Sequence, residues 1–407
     1  MLGFTAYALE VIRQGGVPAF TATLQLGSTV SITRDLISPL QGRIGTLRSS
    51  INVATKAPDL SAAFVTCDNG SDQYSPDVAG SALYGVDYSG RTLSIAAGVT
   101  LPTGGVEDIT LFQGRLAYVD FSAEGATAEF KAVDVLEHLS NTSVGTAEGT
   151  TLEDDCPAAL ILALLGTSYA NVLAYVQTTS FTAPQFQERS ERCILRGFTI
   201  QRGTWYQNIQ QILSHAGDAN VRVQSSGLLA YVTYRPQKAS PTELIAPNTC
   251  LKSLSWYEDF VPVRNKVKVT RSDGAGDFVD TAFSPLSDAS SVAAKGVRWD
   301  DTQQFDFFTE DFPAEQGAGQ RLFFKTKPLR TYEMELQYEG IRFEPGDLVL
   351  VKHPRLGSAS KTVLVVSREF NPNSLYVKLT AIDSVLTNQP WIYCDGAKTL
   401  NGSGVVW

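Results

Sequence analysis

The chain has 407 residues, a length that suits two or three domains. Its 43% hydrophobic content excludes wholesale disorder, and its low 18% charged content leaves a surface rich in Ser, Thr, Asn, Gln and Gly. With 33 Lys and Arg against 42 Asp and Glu, the net charge of −9 argues against a general nucleic-acid binder, which needs a basic face.

Residues 6–13 suit a short amphipathic helix that ends at Gly15 and Gly16. From Pro18 the pattern alternates through residues 20–26. It turns at Gly27 and Ser28 and alternates again over 30–33, which predicts a hairpin. Residues 47–53, 62–65, 83–86 and 93–95 read as short strands separated by turn-rich stretches. The clearest β segment alternates over 109–121, turns at Gly125 and returns over 126–132. A helical turn at 133–139 and a Ser/Thr/Gly/Asn stretch at 140–150 mark a boundary.

Beyond it, Pro157 suits a first helical turn, with Asp154 and Asp155 as capping residues. Residues 158–165 are apolar on every face, so this helix is buried and Gly166 caps it. A second helix spans 204–216, with Trp205, Ile209, Ile212 and Leu213 on one face and Gly217 as its cap. That face is expected to pack on the hairpin formed by 221–223 and 228–234 around Gly227. Residues 235–248 read as a linker and 251–271 as strand. Residues 272–319 are mixed and contain an acidic aromatic run at 305–312, and strands follow at 332–338, 348–351, 362–366 and 376–381.

No apolar run reaches the ~18–20 residues of a membrane span. The most apolar stretch, 157–165, has nine, so stable membrane insertion is not expected. The first 20 residues carry Glu10 and Arg13 and no small-residue cleavage site, so no secretory signal is expected. Cys67, Cys156, Cys193, Cys250 and Cys394 form no Cys-x-x-Cys pair and read as scattered thiols of a reducing cytosol. His138, His215 and His353 have no partners at metal-ligand spacing. Asp154–Asp155 reads as a helix cap before an acid/base pair. The 305–312 run reads as a surface loop anchored by aromatics before a carbohydrate or partner groove. Nucleophile-elbow, phosphate-loop and zinc-helix motifs are missing. The expectation is no enzyme: catalytic residues none, cofactors none, metal none.

Several stretches together resemble the tail hub (baseplate hub, tail tip) proteins of tailed bacteriophages. The first runs from Leu111-Phe112-Gln113-Gly114-Arg115 to Asp134 and Leu136. The second runs from Thr204-Trp205 through Ile209, Leu213 and Ala216-Gly217 to Gly227-Leu228-Leu229. The third runs from Asp259 through Arg264-Asn265-Lys266 to Val269, and Phe343-Glu344-Pro345-Gly346-Asp347 to Leu350 matches a strand–turn–strand element near the hub's end.

The resemblance covers about residues 20–385. It implies a mainly β (β+α) fold: two tube-like antiparallel β-barrel modules with an inserted mixed α/β module. On that reading 1–19 is an N-terminal helical segment, and 20–145 is the first barrel, completed by about 251–271. Residues 146–250 are the insert, 272–383 the second barrel and 384–407 a C-terminal docking tail.

The resemblance implies a structural virion protein of the tail tip, made in the host cytoplasm. Three copies would form a ring joining the distal tail or tube protein to tip or receptor-binding fibre proteins. The tape-measure protein is a further partner, and genomic DNA passes only in transit. Longer family members continue into further modules, so receptor recognition is expected to belong to another protein. Two alternatives stay open. A distal tail adapter ring shares the barrel but not the insert. A secreted carbohydrate-binding or glycosidase-like β protein would need a signal and a carboxylate pair.

Overall fold

The structure, a computed structural model, describes residues 3–25, 29–32, 47–50, 62–88, 90–122, 126–167, 175–190, 193–216, 219–233, 243–259, 263–326, 330–372 and 374–383. Gly125, Gly217, Cys394 and the expected docking tail lie outside the described residues.

Helix α1 (Ala6–Arg13) forms where expected. The Thr5 side chain accepts from the Ala8 N–H, and Gly15 breaks the helix at φ +82°. β1 (Pro18–Gln25) and β2 (Thr29–Ser31) form the expected hairpin, with Leu24 opposite Val30. β3 (Leu47–Ser50) and β4 (Ala62–Asp68) follow. Residues 83–86 are turns rather than strand: Leu83 is buried, but Tyr84 is exposed and Gly85 sits at φ +64°. One apolar anchor among turn residues does not make a pleated face.

β5 (Thr92–Thr100), β6 (Val106–Phe121) and β7 (Thr127–Val133) complete a sheet ordered β2-β1-β5-β6-β7-β4. Gly114 sits in mid-strand because a Cβ there would lie 2.5 Å from the Val133 carbonyl oxygen and 2.6 Å from the Phe112 ring.

Helices α2 (Val135–Asn141), α3 (Pro157–Gly166), α4 (Thr179–Ser190) and α5 (Trp205–Leu213) come next. Gly166 is the last helical residue of α3 rather than its cap. Helix α4 has no counterpart in the sequence reading, because Pro184 lies inside it and its apolar stripe is weak. Helix α5 opens on a capping box between Thr204 and Gln207 and buries Trp205, Ile209, Ile212 and Leu213. That face lies against α2 and α3. The hairpin of β8 (Ala219–Val223) and β9 (Leu229–Thr233) is covered instead by α2 on β8 and α4 on β9. The unforeseen α4 occupies the place expected for α5.

β10 (Leu244–Ile245), inside the expected linker, and β11 (Leu251–Glu258) precede β12 (Lys266–Val267), β13 (Val269–Ser272), β14 (Phe278–Asp280) and β15 (Leu286–Ser287). Then come α6 (Ala289–Lys295), β16 (Gln303–Phe305) and α7 (Asp311–Thr326). β17 (Arg330–Leu336), β18 (Leu348–Val351), β19 (Lys361–Asn371) and β20 (Tyr376–Asp383) end the described chain. The second large sheet runs β10-β18-β19-β20-β17-β11, with β3 also on β19.

The fold is mainly β with helices, in antiparallel sheets that include a curled half-barrel. Two apolar cores hold it together. In the first, Leu24, Ile95 and Phe130 of one large sheet pack with Tyr332, Val363 and Phe370 of the other. In the second, α2, α3, α5, the β8–β9 hairpin and residues 267–322 bury Ile161, Trp205, Ile209 and Phe305. Each large buried apolar side chain contributes about 1.5–3 kcal/mol.

Residues 251–271 were expected to complete the first barrel. β11 pairs with β17 in the second large sheet and its Leu251 joins the first core, while Val267 and Val269 enter the second core. Residues 286–322, expected in the second barrel, also supply that core. Alternation fixes which face of a strand is buried but not which strand lies beside it.

Candidate functional site

Segments that carry the resemblance meet where the two cores touch. Leu111 lies on β6, Ser225 and Gly227 form the tip between β8 and β9, and Phe343–Asp347 lead into β18. Gly227 adopts φ +77°, and a Cβ there would lie 2.8 Å from the Gln113 carbonyl oxygen, so the tip seats directly on the β6 backbone.

Arg368 of β19 is fully buried at this joint. One guanidinium nitrogen donates to the carbonyls of Ile341 (2.9 Å) and Phe343 (3.4 Å). The other donates to the Leu111 carbonyl (3.4 Å) and to Ser225 Oγ (3.1 Å). Ser225 in turn donates through its N–H (3.1 Å) and its Oγ (2.6 Å) to Glu344 Oε1, and Arg222 stands 3.9 Å from Glu344 Oε2. Burial opposes ionisation of Glu344, yet Arg222, Arg368 and the Ser225 donors together hold its carboxyl below the usual range. Burial lowers the Arg368 pKa, and Glu344 offsets this. These pairings favour one arrangement of three chain segments, since losing them would strand buried charge, while Arg368 Nε and Arg222 Nε and Nη1 stay buried without a hydrogen-bond partner.

A second ionic cluster ties α1 to the second sheet. Arg13 grips Glu339 with two bonds of 2.8 Å, and Arg342 bridges Glu339 (3.1 Å) and Glu243 (2.7 Å). Tyr338 donates to the Gly98 carbonyl at 2.8 Å, so this corner joins both large sheets.

The remaining sequence candidates have structural partners. Asp155 accepts from the Cys156 N–H (2.7 Å) and pairs with Arg189 (2.6 and 2.8 Å), and Asp154 accepts from the Gly197 N–H (2.8 Å). The two carboxylates therefore serve different segments. Asp154, without Asp155, borders a cleft of about 480 Å³ also lined by Arg189, Arg196 and Glu310, the last two pairing at 3.0 Å. Phe305 and Phe308 are buried anchors of a segment whose Asp306 and Glu310 stay exposed, and with Phe307 they enclose His215 at ring separations of 5.2–5.7 Å. His138 is held below its usual pKa by burial and then by Arg115, 3.4 Å away. His353 Nδ1 accepts from the Arg355 N–H.

Cys67, Cys156 and Cys250 are buried thiols and Cys193 is half-buried. Burial pushes Cys156 up to about 12 and Cys250 to about 11. Asn265, flagged within the third stretch, is buried in the second core's loops, donating to the Gly296 carbonyl (2.8 Å) and accepting from the Arg298 N–H (2.7 Å). Among the described residues, no three His, Cys, Asp or Glu side chains come together as a metal site, and no helix is long and apolar enough to cross a membrane.

No protein-family model and no curated protein sequence matches this chain. Solved structures do. A tail protein from Neisseria meningitidis MC58 superposes with TM-score 0.53 at 11% identity, covering 90% of this chain and 97% of that one. Prophage tail protein gp18 from Listeria monocytogenes EGD-e gives TM-score 0.52 at 13% identity, over 89% and 94%. The 43 kDa tail protein of prophage MuSo2 from Shewanella oneidensis gives 0.51 at 11% identity, over 92% and 99%. Across nine-tenths of its length, this chain has the fold of phage tail proteins.

Proposed function

We propose that the chain is a structural, non-enzymatic protein of the virion tail: a trimeric hub at the tail's distal end, made in the host cytoplasm. It joins the tail tube to tip or receptor-binding fibre proteins and surrounds part of the channel through which DNA is ejected. The tape-measure protein is a further partner, and residues 384–407 serve as a docking tail. The observation that carries this reading is end-to-end likeness in fold to three phage tail proteins, helical core included. The extent of that helical core favours a hub over an adapter ring.

Physical features fit a ring. β4 and β11 are edge strands, and a closed oligomer covers edges that otherwise invite aggregation. The buried joint holds both cores in one orientation, which a ring component needs. Native mass spectrometry of the purified full chain, with symmetry analysis of assembled tails, tests the proposal. Three copies are expected. Six copies would favour the adapter, and a monomer in both settings would overturn the hub reading.

A further inference from the structure

Two exposed elements carry opposite charge. The first is the hairpin of β13 and β14, where every residue from 273 to 280 is exposed. Its turn is built by Asp273, whose Oδ1 accepts from the N–H groups of Ala275 (2.7 Å), Gly276 and Asp277 (both 3.1 Å). β14 is the outer strand of its three-stranded sheet. It presents Phe278 and Val279, 45% and 38% exposed, between Asp277 and Asp280. An outer strand bearing apolar side chains is a liability in a lone molecule. No Lys or Arg occurs from residue 273 to 294. The cations just before it are engaged within the copy, Lys268 with Asp280 at 3.0 Å and Arg271 with Asp311, so Asp277 and Asp273 at the turn carry the uncompensated charge.

The second element is the connection between β18 and β19. Residues 352–361 carry Lys352, Arg355 and Lys361 and no acidic residue. All three cations are exposed, with Pro354 beside them and Leu356 half-buried. None of them enters an ion pair among the described residues. In a chain of net charge −9 this is a concentrated basic surface.

We propose that the acidic hairpin of one copy docks on the basic loop of a second copy, with Phe278 and Val279 meeting Pro354 and Leu356 inside a ring of opposite charges. The inference rests on the oligomeric reading above and names the surfaces that make the oligomer. The hairpin belongs to the second core and the loop to the first. Each copy therefore carries both halves of a head-to-tail contact, the kind that closes into a ring. Charge complementarity sets the register and the encounter rate, and the apolar centre supplies the burial.

The test is charge reversal in the full chain, read by sedimentation and native mass spectrometry. Asp277→Lys with Asp280→Lys should raise the concentration needed for half-association at least tenfold, as should Lys352→Glu with Arg355→Glu and Lys361→Glu. All five changes together should restore it to within about threefold of wild type. Unchanged melting temperatures confirm that these exposed sites leave the fold intact. If both reversed sets associate like wild type, the docking proposal fails while the trimer reading stands. If the combined chain associates no better than either set alone, the two surfaces meet different partners and the proposal fails. A wild-type chain that is monomeric in solution and in tails would overturn both.

Discussion

Arg368 shows how one side chain can hold several segments. Its donors reach β6, the β8–β9 tip and the approach to β18, and its charge helps keep Glu344 ionised. Arg368→Met keeps much of the volume but removes one of the two cations near Glu344, leaving Arg222 at 3.9 Å, and strands the Ile341, Leu111 and Ser225 acceptors. A loss of about 3–5 kcal/mol is expected by urea unfolding, because one partner of a buried network is gone. His215 titrates by the opposite logic. Its phenylalanine cage, with Arg321 nearby, pushes its pKa down to about 4, against 6.5 when free, while the Gln211 carbonyl and Asp306 pull it up. The native state thus stays neutral where the unfolded chain takes up a proton. Stability should fall as pH drops from about 6.5 towards 4 and this contribution should then level off. His215→Phe should flatten the slope in that window, measured as unfolding free energy against pH. None of this was legible in the sequence. A glutamate or histidine in a string does not show whether it is buried, and nothing in the pattern around Glu344 or Arg368 marks either as a buried charge.

At the scale of elements, legibility followed the strength of the local signal. Helix α5 was readable because Trp205, Ile209, Ile212 and Leu213 repeat at helical spacing behind a capping Thr204. Helix α7 was not, because Pro313, Gly317 and Gly319 interrupt its pattern although Ala314, Ala318 and Leu322 are buried. Hairpin partners joined by short turns were readable, as for β1–β2, β6–β7 and β8–β9, but distant partners were not: β11 alternates equally well whichever sheet receives it. The face of α5 also gives the sharpest test of the second core. Ile212→Asp removes a fully buried side chain and places a charge among α2, α3 and α5, costing about 4 kcal/mol or more. Hydrogen exchange should show protection lost across residues 135–231 while β5, β6, β19 and β20 stay protected. Phage carrying the change should form particles without a finished tail tip, rather than complete particles with altered host range.

The whole molecule is two cores threaded by one chain. Residues up to 133 build the first core, 135–231 the second, 245–251 the first again, 267–322 the second, and 332–381 close the first. The resemblance anticipated the classes of element, their order and a return of the chain to its first module after an insert; the second passage through the helical core, at 267–322, has no signal in the strand pattern. The buried joint and the Arg13–Glu339–Arg342 cluster are what the threading requires. Both sit where segments far apart in sequence must meet, and each consists of charges that find the partners they have only when all their segments have arrived.

That order of assembly bears on synthesis. β7 ends at Val133, but its sheet gains a full facing layer only when β20 ends at Asp383, about 250 residues later. At 5–20 residues per second a ribosome needs roughly 12–50 s to cover that distance. Throughout the interval Leu24, Ile95 and Phe130 face water or a chaperone. The helical core lies between and completes earlier, so it emerges as a folded weight on an unfinished sandwich.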